Sequence, residues 1–172
     1  MNKRMIDPEL FLKFLKNRRS IRSFQNQEIS DKEIEMILEA GRWAPSASNR
    51  QAWKFIVIKK KEVIKDLAKL ANYGKFAAEA PLVIAVVGFA GKNPKWYIQD
   101  TSIASMNMML MAWALNIGTC WIGTLNREKA KELLGISKED FLLTILPFGY
   151  IKGKIPNPTT RKELRKITQE IK

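Results

Sequence analysis

The segment from Tyr97 to Asn116 constrains the fold of this chain most, because it predicts a long helix with almost no polar face. A helix that is apolar on all sides must be buried on all sides. In a chain of 172 residues, such burial is easiest against a second subunit, and the alternative is the central helix of a monomer. We therefore expect a dimer. The apolar residues of its second half are Met106, Met108, Met109, Leu110, Met111, Ala112, Trp113, Ala114 and Leu115.

The length and composition indicate one globular domain over residues 1–172. A chain of 172 residues corresponds to about one domain of ordinary size. Hydrophobic residues make up 46% and charged residues 27%, which is the balance of a soluble protein with a core. This composition excludes a disordered chain, a collagen-like repeat and a disulfide scaffold. Cys120 is the only cysteine, so no internal disulfide can form, which fits a reducing compartment.

The chain contains no histidine, which excludes several kinds of catalytic site. Ser-His-Asp and Cys-His triads, zinc sites built on histidine, and a histidine general base are all ruled out. We predict no metal site. Whatever chemistry the chain performs proceeds without the usual proton shuttle at neutral pH.

The formal net charge of +13 points to an anionic partner. The candidates are nucleic acid, anionic lipid and a phosphate-bearing cofactor, and the alternative is a solvated, lysine-rich surface. The basic residues are scattered and are not interleaved with exposed aromatic residues, which disfavours nucleic acid.

We expect a cytoplasmic protein that has no membrane partner. Charged residues interrupt the apolar residues from Met1 to Leu15, which is not the pattern of a signal peptide. The most apolar stretch, from Ile103 to Leu115, contains Ser105 and Asn107 and is too short to span a bilayer.

Helical and strand patterns alternate along the chain, with helices dominating. The first helix opens at Asp7-Pro8-Glu9, and Ser30 with Glu33 forms a capping box before the second, which ends near residues 41–44. Further helices are predicted at 62–70, 97–116 and 127–134, with a short one from Arg161. Strands are predicted at 53–58, 82–87 and 141–149, with a short strand or turn at 118–122. This order indicates an α+β or α/β domain with a small sheet.

Three segments could carry a site. Arg18-Arg19-Ser20-Ile21-Arg22 could clamp a phosphate, because guanidinium groups match phosphate oxygens; the alternative is a charged helix end. The loop from Ala44 to Trp53 presents hydroxyl and amide groups that suit the edge of a heterocycle; the alternative is a self-capping connector. Gly118 to Gly123 brackets Trp121 with glycines that let a ligand approach the backbone; the alternative is a tight strand with a core tryptophan. Within it, Cys120 is predicted to be a buried small hydrophobe among apolar residues rather than a nucleophile.

Together with the long helix, these segments resemble the nitroreductase family of FMN-dependent oxidoreductases. The resemblance covers most of the chain, from Arg18 to about Arg161. It rests on the order and spacing of the pieces rather than on any single motif. The matching pieces are residues 18–22, Ala44-Pro45-Ser46 with Asn49, Gln51 and Trp53, Ala80-Pro81, the long helix with Gly118, Cys120-Trp121-Ile122-Gly123, Phe148-Gly149-Tyr150 and Arg161.

The resemblance implies a nitroreductase-like α+β fold in which helices wrap a central, mainly antiparallel β-sheet. It also implies an intertwined homodimer with two FMN sites at the interface, each built from both subunits. By position, the phosphate, ribityl chain and N1–O2 side of the flavin would be held by Arg18, Arg19, Ser20 and Arg22. Arg161, with Lys162, would close on the phosphate.

The resemblance further implies that the partner subunit contributes a loop to the flavin ring and ribityl chain. The residues of that loop are Pro45, Ser46, Ala47, Ser48, Asn49 and Gln51. The backbone N–H groups of Ile122 and Gly123 would face flavin N5 and O4, with Trp121 beside them. No side chain is assigned as a catalytic residue, because hydride transfer at N5 needs binding and electrostatics rather than a protein acid or base.

Two departures from the family pattern bear on function. Ala52 stands where the family usually has proline before the tryptophan, and we expect this change to loosen the start of the strand. The chain is also short, and it lacks most of the helices that shape the substrate pocket in longer members.

The predicted function is therefore an FMN-dependent oxidoreductase. It would take hydride from NADH or NADPH and reduce nitroaromatic, quinone or similar flat small-molecule acceptors. Alternatives within the family are reductive dehalogenation and flavin breakdown. The alternative of another class is a non-catalytic flavin-binding or nucleic-acid-binding protein.

Overall fold

A computed structural model describes residues 6–171. Residues 1–5, part of the segment predicted not to be a signal peptide, lie outside the described residues. The five α-helices among the described residues are α1 (Pro8–Asn17), α2 (Asp31–Arg42), α3 (Lys61–Leu70), α4 (Tyr97–Ala114) and α5 (Arg127–Leu134). The strands of the sheet are β1 (Trp53–Ile58), β2 (Leu82–Gly88), β3 (Ile117–Thr119) and β4 (Phe141–Tyr150). Short 3-10 turns lie at Ala47–Asn49, Lys75–Glu79 and Leu164–Lys166.

The helix boundaries follow local chemistry that the sequence already contains. The Asp7 carboxylate accepts hydrogen bonds from the first N–H groups of α1, and Ser30 with Glu33 forms the predicted capping box of α2. Helix α5 ends at Gly135, whose φ of 62° lies in the left-handed region that glycine tolerates. These three predictions are confirmed.

The sheet has the strand order β1-β2-β4-β3, and every pairing is antiparallel. All seven residues of β2 are buried, which confirms the prediction of a strand covered on both faces. One face packs on α3 and α5 through Val83, Ala85 and Val87. The other packs on α2 and α4 through Leu82, Ile84 and Val86. The antiparallel pairing decides for α+β over α/β, as the fold prediction states.

Helix α4 does not bury all of its faces within one chain, so the prediction of all-round burial is not met by the monomer. Ala104, Met108 and Ala112 are fully buried, and Met108 and Ala112 pack in one core cluster with residues of α2 and the sheet. Ile103 and Met106, on another face, are 41% and 40% exposed. The chain thus leaves an apolar stripe on α4 without cover among residues 6–171.

Helix α1 shows the same feature more strongly, since none of its residues is buried. Its large apolar side chains Leu10, Phe11, Leu12 and Leu15 are all exposed. Apolar helix faces of this kind indicate an interaction surface. Among residues 6–171, no helix combines the length and apolarity needed to cross a membrane.

Candidate functional site

The arginine-rich segment after α1 lies along β3 and extends that edge of the sheet. The N–H of Ile21 donates to the carbonyl of Thr119 at 3.0 Å, and Ser20 forms a parallel bridge with Thr119. Gly118 permits this approach, because a Cβ there would lie 2.6 Å from Cγ2 of Ile21. This close packing fixes the positions of Arg18, Arg19 and Arg22 relative to β3.

Three of the predicted phosphate ligands, Arg18, Arg19 and Arg161, line one cavity of about 500 Å³. Lys16 and Thr159 also line this cavity, and no acidic residue in the range 6–171 does. The Arg161 guanidinium is held by the hydroxyl and carbonyl of Thr159. Lys162 is exposed and does not line this cavity, so of the two late basic residues the structure brings only Arg161 to the cluster.

Arg18 is the member of this cluster that is held least favourably. Its Nη1 atom is buried and has no hydrogen-bond partner among the described residues. Burial lowers the pKa of the Arg18 guanidinium, and the nearby charges of Arg19 and Arg161 lower it further. The cavity therefore holds uncompensated positive charge, which an anionic group would stabilise.

Arg22 lies at a second, smaller cavity of about 130 Å³ with the predicted residues Trp121, Ile122 and Gly123. Two aromatic residues that sequence reasoning missed, Tyr73 and Phe76, also line it. The Arg22 guanidinium carbon lies 5.9 Å from the centroid of the Phe76 ring. No local sequence signal marks these two aromatic residues. The N–H of Asn72 donates to the carbonyl of Thr124, which places the segment at 72–76 beside the turn at 121–123.

At the turn of residues 121–123, the structure differs from the predicted site in the role of the Ile122 N–H. The Ile122 N–H donates to the carbonyl of Ile145 at 3.3 Å, because this residue pairs with β4. It is therefore used within the sheet and does not face a ligand as predicted. The Gly123 N–H has no acceptor among residues 6–171, so it remains the candidate donor of the pair.

Two further residues that the sequence did not reveal fix the carbonyl groups of this turn. The hydroxyl of Thr144 donates to the Ile122 carbonyl at 2.9 Å, and Nη2 of Arg127 donates to the Gly123 carbonyl at 2.7 Å. Thr144 is distant in sequence from the glycine motif. Arg127 appears in the sequence only as the first residue of a helix. Their role depends on the tertiary fold.

Cys120 is buried, as predicted, but its surroundings are more polar than the sequence indicated. Burial raises the pKa of the Cys120 thiol, which favours the unreactive neutral form. The nearby charges of Arg22 and Arg18 and a hydrogen bond with Ser20 act in the opposite direction and are smaller effects. These polar groups lie near Cys120 because the arginine segment packs beside β3.

The loop at 45–51 is strained and internally bonded. Ser48, Asn49 and Gln51 have φ values of 52°, 52° and 49°, a region that residues other than glycine rarely adopt. The N–H of Gln51 donates to Oγ of Ser46 at 3.0 Å. Ala52 is fully buried and its carbonyl accepts from the Phe89 N–H, so the start of β1 is held without proline.

This loop and the arginine cluster lie at opposite corners of the sheet in one chain. The loop precedes Trp53, which pairs with Gly88, and Gly88 in turn pairs with Phe141 of β4. The arginines adjoin Thr119, which pairs with Phe148 of β4. Strands β1 and β3 are three spacings apart, roughly 14 Å, and seven residues of β4 add roughly 24 Å along the strand. A single site that contains both sets of residues therefore needs two copies of the chain.

Comparison with known proteins identifies the same family that the motifs indicate. A family model described as "Nitroreductase family" matches residues 15–72 and 69–150. A protein from Archaeoglobus fulgidus named "Putative NADH dehydrogenase/NAD(P)H nitroreductase" is 37% identical over 150 residues, which cover 83% of this chain and 86% of that protein.

A solved structure from Clostridium difficile R20291, described as an "FMN-dependent Nitroreductase", superposes with a TM-score of 0.84 at 29% identity. The match covers 93% of this chain and 98% of that one. Human "Iodotyrosine deiodinase 1" is a more distant relative, 26% identical over 188 residues, which cover 89% of this chain and 65% of that protein.

Proposed function

Because this chain belongs to the nitroreductase family, we propose that it is an FMN-dependent oxidoreductase. In this proposal it takes hydride from NADH or NADPH and reduces a nitroaromatic, a quinone or a similar flat acceptor by ping-pong chemistry. The observation that carries the proposal is the buried Nη1 of Arg18, which lies near Arg19 and Arg161 and has no hydrogen-bond partner in the part of the chain that the structure describes. A terminal phosphate dianion supplies the missing acceptor and the missing charge.

The residues fit the phosphate of FMN in number and kind. Arg18, Arg19 and Arg161 would bind the phosphate oxygens in the larger cavity, where no acidic residue among those described competes with them. Ser20 would donate its hydroxyl at the ribityl side, and the exposed Lys162 would add charge at the rim. Hydrogen bonds between charged partners of this kind are roughly twice as strong as neutral ones.

At the smaller cavity, the chain would orient the flavin ring. Arg22 would place positive charge at the N1–O2 side, Gly123 would donate its free N–H to the N5–O4 side, and Trp121 would lie beside the ring. The bound flavin supplies hydride transfer at N5, so the chain needs no acid or base of its own. Arg127 and Thr144 hold the turn in place through its carbonyl groups.

We propose a homodimer in which each site takes its second half from the partner. The separation of the loop at 45–51 from the arginine cluster supports this arrangement, as do the uncovered apolar faces of α1 and α4. The loop residues proposed to reach the partner's flavin are Pro45, Ser46, Ala47, Ser48, Asn49 and Gln51.

Reductive dehalogenation is the second candidate, favoured by the similarity to iodotyrosine deiodinase. The aromatic lining of the smaller cavity, Tyr73, Phe76 and Trp121, suits the phenyl ring of either substrate class. Iodide release from an iodinated phenol and nitro-group reduction are separable activities of one purified protein.

The decisive experiment is the identification and reduction of the bound flavin. The protein is reconstituted with FMN or FAD, and the flavin released by heat is identified by chromatography. Stopped-flow absorbance then follows reduction by NADH and by NADPH, and reoxidation by a nitroaromatic, a quinone and an iodophenol. Binding of FAD in place of FMN, or a flavin that neither nicotinamide reduces, would contradict the proposal.

A further inference from the structure

Asp100 is a buried carboxylate whose hydrogen bonds connect two separate loops. It is 4% exposed and lies in the first turn of α4. Its Oδ1 accepts from the N–H of Ala47 at 3.1 Å, and its Oδ2 accepts from Nδ2 of Asn93 at 2.8 Å. It forms no ion pair with any residue in the described range 6–171. Burying a carboxylate is costly unless it is well hydrogen-bonded, so these two donors matter.

Asn93 is as well fixed as Asp100. It is 2% exposed, its carbonyl accepts from the N–H of Tyr97 at 3.1 Å, and its own N–H donates to the carbonyl of Phe89. Asn93 thus joins the end of the β2 region to the start of α4. Its side-chain amide orients the Asp100 carboxylate, which leaves Oδ1 directed at the loop.

The loop needs an external support of this kind. Ser48, Asn49 and Gln51 are held in the left-handed region, and such conformations persist only where the surrounding structure determines them. The bonds between Ser46 and Gln51 lie within the loop and cannot fix its position. The Ala47–Asp100 bond can, together with the longer contact of 3.3 Å from Arg50 Nη1 to the Lys92 carbonyl.

We propose that Asp100, oriented by Asn93, is the positioning residue that holds the loop at 45–51 in the geometry that binds FMN. This inference rests on the proposed function. The carboxylate does not touch the flavin; it acts by fixing the Ala47 backbone and thereby the polar groups on either side of it. Because α4 also carries the uncovered stripe with Ile103 and Met106, one helix sets both the loop and the surface proposed to meet the partner.

The test compares Asp100→Ala with Asp100→Asn in the full-length protein. Asp100→Ala leaves the Ala47 N–H unpaired, and loss of a buried partner corresponds to about tenfold weaker FMN binding or more. Asp100→Asn keeps an oxygen for Ala47, and the Asn93 amide can turn to pair with it, so affinity stays within about threefold of the parent. FMN affinity and dissociation rate are measured by flavin fluorescence.

A second readout reports the loop itself in FMN-free protein. Trypsin cleavage after the exposed Arg50, followed by mass spectrometry, accelerates in Asp100→Ala and not in Asp100→Asn or in the control Asp66→Asn on α3. If Asp100→Ala does not fold, Asn93→Ala serves instead, because it keeps the Ala47 bond but removes the orienting amide. Its expected effects are in the same direction and smaller.

A purely structural role has a different signature. Ile37→Val removes one methylene from the core and lowers the melting temperature without touching the loop, so it should leave FMN affinity and Arg50 cleavage unchanged. If Asp100→Ala behaves like Ile37→Val, the positioning role is overturned. If the parent itself fails to bind FMN, the proposed function fails, and the rate of cleavage after Arg50 still decides whether Asp100 holds the loop.

Discussion

Nη2 of Arg127 donates to the carbonyl of Gly123 at 2.7 Å, while Nε of the same guanidinium donates to the carbonyl of Leu142 at 3.1 Å. One side chain thereby ties the turn beside the smaller cavity to the first residues of β4. Its guanidinium carbon also lies 5.4 Å from the centroid of the Phe141 ring. The peptide group that follows Gly123 is therefore held by a residue that does not line the smaller cavity, while the hydroxyl of Thr144 holds the Ile122 carbonyl, which shares its peptide plane with the Gly123 N–H.

Replacing Arg127 with leucine should destabilise the protein and weaken FMN binding together. A hydrogen bond to a charged group contributes about 1.5–3 kcal/mol, and two carbonyls lose their donor. Arg127→Lys should be intermediate, because an ammonium group cannot reproduce the fork. Urea unfolding of the FMN-free protein and FMN titration measure the two effects. Arg165→Leu, at an exposed arginine, is the control, and equal behaviour of the two leucine variants would contradict the assignment.

Arg18→Met should affect the FMN-bound and FMN-free protein in opposite directions. It should weaken FMN binding by about 1.5–3 kcal/mol, since a charged donor to the phosphate is lost. It should leave the melting temperature of the FMN-free protein unchanged or higher, because the Arg18 guanidinium is partly buried and close to two like charges, and its Nη1 has no hydrogen-bond partner among residues 6–171. Fluorescence titration and thermal unfolding test both. A lower melting temperature with unchanged affinity would place Arg18 in the scaffold rather than the site.

The exposed stripe of α4 gives a direct test of the homodimer. Ile103→Glu and Met106→Glu each place a charge on a surface that one chain leaves exposed. The free energy of unfolding of a monomer should therefore change by no more than about 0.5 kcal/mol. In a dimer the same charges are buried without a partner and should separate the subunits and release FMN. Light scattering measures the mass, with Leu133→Glu on α5 as the control. A parent that is monomeric and still binds FMN would refute the shared site.

Met109 lies on the same helix but is a poor position for this test. It is 5% exposed and packs in the same core cluster as Ile117 and Leu146. A charge there would break the core of the single chain, whatever its oligomeric state.

The rate of flavin reduction by NADH should be nearly constant between about pH 5.5 and 7.5, where histidine is the usual titrating group. The chain has no histidine. Where the described carboxyl, thiol and phenol groups shift, they move away from this range: the pKa of Glu39 falls to about 2, and that of Cys120 rises. Stopped-flow measurements with saturating NADH at constant ionic strength test this.

The donor matters in that experiment, because a phosphate monoester titrates at about pH 6. NADPH carries such a group and NADH does not, so NADH is the cleaner donor. The phosphate of FMN itself is common to every sample. A bell-shaped profile with one arm near neutrality would show that a protein acid or base takes part after all.

Glu33 should contribute to acid stability. The Ser30 hydroxyl lowers the pKa of its carboxyl below the ordinary value of 4.5, and the Tyr150 hydroxyl, which donates to it at 2.8 Å, lowers it further. A depressed pKa stabilises the fold above the ordinary value, and this contribution is lost as the pH falls through the folded value. Glu33→Gln should therefore flatten the melting-temperature profile as the pH falls below the ordinary value of 4.5. Exposed Glu62→Gln should leave the profile as in the parent.

Much of the fold was predictable because its signals are local. Capping by Asp7 and by Ser30 with Glu33, the glycine stop at Gly135 and the apolar run of β2 each specify an element without reference to distant residues. The family pattern added the antiparallel sheet and grouped Arg18, Arg19 and Arg161, which the structure brings to one cavity. The position of Arg161 in the sequence did not predict that the adjacent Lys162 lies outside that cavity.

The sequence by itself determined the residue types that any site here can use: guanidinium groups, amides, glycines and no histidine. It also determined that α4 is too apolar to be exposed to water on all its faces. Only the tertiary structure decided that the Ile122 N–H is used by Ile145, that Arg127 and Thr144 fix the turn, and that Asp100 holds the loop. The physical reason is that a hydrogen-bond donor or acceptor in the sequence specifies no partner. Partners distant along the chain are chosen by the packing of the whole sheet and its helices, which no local pattern encodes.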